Sequence, residues 1–82
     1  MSRFLFHLNT DSDFIDHEGV ELSDLFGAKD YAVQLLTESL VHQPEKFWHA
    51  DGFRVTCADE KGLVLFTVDM LATMSAAGAN SR

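Results

Sequence analysis

The side chains of this chain that could do chemistry are four histidines, His7, His17, His42 and His49, one cysteine, Cys57, and a run of carboxylates early in the sequence. His7, Asp16 and His17 have the best prospect of meeting. If the segment near residue 16 folds back on the segment near residue 7, His7 comes to lie beside Asp16 or, one residue out of step, beside His17. A carboxylate next to an imidazole raises the basicity of the ring, and such a pair can act as a general base. With His17 added, the group becomes a candidate metal or hydrolytic site. The same contact is also an ordinary cross-strand pair. Neither Cys-x-x-Cys nor His-x-x-x-His accompanies it, so the usual zinc spacing is missing.

Asp11, Asp13 and Asp16 suggest a calcium loop. That template needs Gly at its sixth position and Glu at its twelfth. Counted from Asp11, those positions hold Asp16 and Leu22, so the stretch reads as a solvated acidic turn. Cys57 alternates in step with Phe53 and Val55, which aims it into a core where a thiol is unreactive. A single cysteine also excludes an internal disulfide framework and suits a reducing compartment. The chain has no Gly-rich phosphate loop and no basic–aromatic stripe. These readings point away from an enzyme, with no catalytic residue, metal or cofactor assigned.

Charge gives the stronger signal. Thirteen acidic residues against six basic ones leave a formal net charge of −7 on 82 residues. Six of the acids lie between Asp11 and Asp24, with no Lys or Arg among them. Such a surface repels the phosphates of nucleic acid and steers in a basic protein. It also serves simply to keep a small domain in solution. No apolar run approaches the roughly 20 residues of a membrane span. The opening Met1-Ser2-Arg3, followed by five mostly apolar residues, is too short for a secretory signal. The expectation is a cytoplasmic protein that binds neither nucleic acid nor membrane.

The elements that must position these residues follow from periodicity. Around a helix of about 100° per residue, Leu25, Ala28, Ala32, Leu35, Leu36 and Leu40 fall on one arc, with Asp30, Gln34, Thr37 and Glu38 opposite. This predicts one long helix over 24–42. Ser23 or Asp24 caps its start, and Pro44 marks its end because Gln43, before it, is pushed out of helical geometry. Gly27 weakens the first turn. Lys29 lies near the apolar arc, its stem packed and its ammonium in water.

Arg3 to Asn9 alternates as a strand with Phe4, Phe6 and Leu8 inward. Thr10 to Asp13 is turn chemistry, and Phe14 to Val20 reads as the returning strand. A four-residue loop pairs Leu8 with Ile15 and His7 with Asp16. A three-residue loop puts Asp16 and Glu18 beside the aromatics. The first buries the apolar set and is preferred. Gln43 to Asp51 reads as an irregular connector whose Phe47 and Trp48 plug the core. Gly52 to Ala58 is a third strand, Asp59 to Gly62 a hairpin turn with Gly62 left-handed, and Leu63 to Met70 a fourth strand with Val64, Phe66 and Val68 inward.

The predicted fold is α+β: a two-layer ββαββ domain over residues 1–71 with a four-stranded, mainly antiparallel sheet, order 2-1-3-4, and a frayed tail over 72–82. Its predicted core is Phe4, Phe6, Leu8, Ile15, Leu25, Ala32, Leu36, Leu40, Phe53, Val55, Phe66 and Val68. Leu5, Leu63 and Leu65 fall on the face away from the helix, and such apolar surplus often marks an interface. The expected partners are therefore another protein, a basic one, met through that face or through the acidic hairpin at Asp11 and Asp13, and a second copy in a homodimer.

Several stretches resemble a family of short bacterial proteins of unknown function. They are the opening Arg3-Phe4-Leu5-Phe6-His7, the segment Asp16-His17-Glu18-Gly19-Val20-Glu21-Leu22, Asp24-Leu25 with Ala28 and Ala32, and the hairpin Val55 to Leu65 around Asp59-Glu60 and Gly62. The likeness spans roughly residues 3 to 68. The chain departs from the pattern at Ser23, where Pro is common, at Gly27, and in a longer connector carrying Trp48. The resemblance implies a fold and no chemistry. The short opening strands and the alanine-spaced helix are also similar to HicB-type antitoxins, which would imply occlusion of a basic toxin.

Overall fold

The computed structural model describes residues 2–80. The elements run β1 (Ser2–Asn9), β2 (Asp13–Phe14), β3 (Val20–Leu22), α1 (Leu25–His42), α2 (Pro44–Ala50), β4 (Gly52–Ala58), β5 (Val64–Leu71) and α3 (Ala76–Ala79). The sheet is antiparallel throughout, in the order β2-β1-β4-β5, with β3 also paired to β1. Helices α1 and α2 pack on one face, so the domain is the expected two-layer α+β arrangement with an open sheet.

Asp24 caps α1: its side chain accepts the Gly27 N–H at 2.9 Å, which offsets the weakness of glycine in the first turn. The helix meets the sheet through Ala28, Ala32 and Leu36, all buried. Two alanines in the stripe let the backbone approach the sheet closely. Opposite them lie Phe4, Phe6, Phe53, Val55 and Cys57. Gln43 ends α1, and Pro44 opens α2 at the one helical position where its missing N–H costs nothing. The stretch expected to be irregular is therefore a second helix. Its Phe47 is the plug, edge-on to Phe53 with ring centroids 5.3 Å apart. Trp48, expected beside it, points outward and is exposed.

Three further expectations are corrected. The returning strand over residues 14–20 is broken. Leu8 faces Phe14 and Asn9 faces Asp13, which is the three-residue turn, while Phe4 faces Val20 two residues out of that register. The intervening residues bulge from the sheet, and Ile15, placed in the core from sequence, is 51% exposed. Leu25 is 43% exposed although it lies on the buried arc. It occupies the first helical position, a full turn before the stripe meets the sheet at Ala28. Finally, β5 carries a bulge at Leu65, because Cys57 faces Phe66 while Ala58 faces Val64. One extra residue reverses the alternation, so Val64 leaves the helix side and joins Leu5 and Ala58 on the other face. Leu8, Leu40, Phe66 and Val68 pack against the core but are only partly buried.

The second hairpin forms as expected. The Asp59 side chain accepts from the Lys61 and Leu63 N–H groups, both at 2.9 Å, and Gly62 takes φ +87°. The tail carries the short helix α3; Ser81 and Arg82, part of the predicted frayed end, lie outside the described residues. Among the described residues, no helix is long and apolar enough to cross a membrane.

Candidate interaction site

On the edge that β1 shares with β3 and β2, the described residues place no strand beside Leu5–His7, and Asp16 fills that gap, while the opposite edge pairs with β4. Its Oδ2 accepts the Phe6 N–H at 3.1 Å, as a strand carbonyl would. Its Oδ1 accepts the Glu18 N–H at 3.1 Å and the Gly19 N–H at 3.0 Å, closing the bulge into a tight loop. Gly19 sits at φ +78°, and a Cβ there would lie 2.9 Å from the Phe4 carbonyl oxygen, so glycine is required on both counts. Partial burial opposes ionisation of Asp16. The three backbone donors, helped by His7, outweigh it and hold the carboxyl below its ordinary range.

His7 and Asp16 are thus brought together, as the sequence suggested, but through the backbone: the Asp16 N–H donates to His7 Nδ1 at 3.1 Å. His17 is exposed and does not join them. Among the described residues no three His, Cys, Asp or Glu side chains gather as a group that could hold a metal. Cys57 is fully buried under the helix, and burial pushes its thiol up to about 11.

The bulge leaves the first hairpin acidic and apolar at once. Phe14 is 61% exposed and Ile15 is about half exposed, flanked by the exposed Asp11, Asp13 and Glu18. A groove between the hairpin and α1 is lined by Phe6, Phe14, Asp16, Val20, Tyr31 and Leu35. Among its lining residues, the Phe6 and Tyr31 rings pack at a 44° tilt, ring centroids 4.7 Å apart. Arg3 ties the loop to β1, donating to the Glu18 carbonyl at 2.8 Å and to Glu21 Oε1 at 3.0 Å.

The sheet face away from the helices is organised in rows. His7, Thr56 and Thr67 form one row, and Asn9, Arg54 and Asp69 another, with Arg54 and Asp69 ion-paired. Leu5, Ala58 and Val64 form the apolar row. Leu63 is exposed in the turn, and Leu65, also exposed, sits at the bulge. The exposed apolar hairpin residues, Phe14 and Ile15, were missed because strand alternation counted Ile15 inward; the acidic run around them was the available signal.

The fold and this surface define a small, acidic α+β domain with an open antiparallel sheet. The chain belongs to the DUF6894 family, a domain of unknown function, whose model matches residues 3–72. That match covers the stretch over which the sequence resembles short proteins of unknown function. The likeness to HicB-type antitoxins finds no support. No curated protein and no solved structure matches the chain.

Proposed function

We propose that this protein is a non-enzymatic interaction module of the cytoplasm that binds a basic protein partner through its acidic first hairpin. The observation that carries this reading is the placement of exposed Phe14 and Ile15 among Asp11, Asp13 and Glu18, beside the groove under Tyr31. Apolar side chains supply contact area, while the surrounding carboxylates favour a cationic partner and disfavour nucleic acid. The competing reading, a metal-binding or hydrolytic site at His7, Asp16 and His17, is not favoured. The Asp16 oxygens are engaged by three backbone donors, and His7 Nδ1 by a fourth.

The test is affinity capture from the native cell at low and high salt, with the parent chain and with an Asp11→Lys/Asp13→Lys variant. Both positions are exposed, so the variant should fold. The parent should retain a basic protein that raised salt releases, and the variant should not retain it. Equal capture by both, or no specific partner at either salt, would sink the proposal.

A further inference from the structure

We infer that the outer edge of β5 pairs antiparallel with β5 of a second copy, joining two sheets into one across a two-fold axis. This stands apart from the reading of the first hairpin, which lies at the opposite edge of the sheet. In the order β2-β1-β4-β5, strand β5 has a neighbour on one side only among the described residues. Its other edge presents backbone donors and acceptors along Val64–Leu71, and an unprotected edge of that kind is a template for another strand. Proteins usually blunt such an edge with lysine, proline or a very short strand. Here the strand has eight residues, without proline, lysine or arginine. The bulge at Leu65 interrupts only its beginning, leaving Phe66–Leu71 regular. The opposite edge is built from strands of two and three residues and offers no comparable run.

Charge selects the second copy. The protein carries a net −7, so two copies repel over most of their surface. From Gly62 to Asn80, however, Asp69 is the only charged residue, and Arg54 neutralises it. The β5 edge is therefore where two copies approach at least electrostatic cost. The core is also incomplete there: Phe66 and Val68 are half-buried on the helix side, Met70 is exposed beside them, and Leu71 is 75% exposed. Residues directly opposite in an antiparallel pair share a face, so a two-fold axis through Val68 brings Phe66 against Met70 and Thr67 against Asp69 of the other copy. An axis through Thr67 would instead set Asp69 against Leu65, and one through Asp69 would oppose two carboxylates.

The Val68-centred register is tested at Thr67, an exposed position on the face away from the helices. Sedimentation equilibrium of the full chain, from micromolar to near-millimolar, should show a mass rising towards twice 9.2 kDa. Thr67→Asp places like charges opposite one another and should weaken the dimer by about tenfold or more, whereas Thr67→Lys faces Asp69 and should leave it equal or tighter. Circular dichroism of both variants separates a lost dimer from a lost fold. A parent that stays at 9.2 kDa throughout, or folded variants that move the equilibrium in the same direction, would overturn the inference.

Discussion

Asp16→Ala is the most informative single substitution, because one carboxylate holds the interrupted edge of β1 and the bulge together. It removes two acceptor oxygens and the three hydrogen bonds they take. The Phe6 N–H belongs to a residue of the buried core, and leaving such a donor unpaired costs about 1–3 kcal/mol. The Glu18 and Gly19 donors lie nearer solvent and can turn to water, so each loses about 0.5–1 kcal/mol. The sum is about 2–5 kcal/mol, a large part of the roughly 4–12 kcal/mol expected for a domain of this size. In a thermal melt that corresponds to a fall of about 8–40 °C. Urea unfolding should show a lower midpoint at unchanged slope. Asp16→Asn is the graded control. It keeps one oxygen for the loop donors but turns an N–H₂ toward the Phe6 N–H, so it should lose about 1–2 kcal/mol.

The pH dependence gives a second, independent reading. The Asp16 carboxyl is held below its ordinary range, so its contribution is complete above the unfolded carboxylate pKa of about 3.9 and is lost as pH falls through the lower folded value. The parent's advantage over Asp16→Asn should therefore be constant near neutrality and shrink in acid. An Asp16→Ala protein with the parent's urea midpoint, or an advantage over Asp16→Asn that does not change in acid, would refute the assignment of Asp16 as the closure of the sheet edge.

Leu36→Asp should leave no cooperative transition, since it puts an unpaired charge between helix and sheet at a position with 2% exposure; a melt near the parent temperature would show that the helix face is misassigned. Phe47→Ala should cost about 2–3 kcal/mol through lost contact with Phe53, and the exposed Trp48→Ala should stay within about 0.5 kcal/mol; urea midpoints compare the two. Cys57 should resist iodoacetamide near pH 8 in the folded protein, being fully buried with its thiol pushed up to about 11, and react readily in urea; fast modification of the native chain, read by mass, would contradict its burial.

The long helix, β4 and the second hairpin were legible in the residues alone. The reason is that each rests on a local rule. The helix has a 3.6-residue apolar stripe with Asp24 before it and Pro44 after it, β4 alternates Phe53, Val55 and Cys57, and Asp59 to Gly62 is turn chemistry. The acidic character of the first hairpin was equally visible, because charge is a property of composition.

What the tertiary structure alone decided is the register, and with it the site. Alternation over residues 14–20 supports a continuous strand, and burying Ile15 favours the four-residue turn. The fold exposes Ile15 instead, because Asp16 can satisfy Phe6, Glu18 and Gly19 together only if the chain leaves the sheet. Likewise the bulge at Leu65 turns Val64 away from the helix, and nothing in the local sequence marks it. A shift of one residue reverses every side chain beyond it. Pattern therefore names the strands, whereas the faces they present depend on hydrogen bonds that join one segment to another.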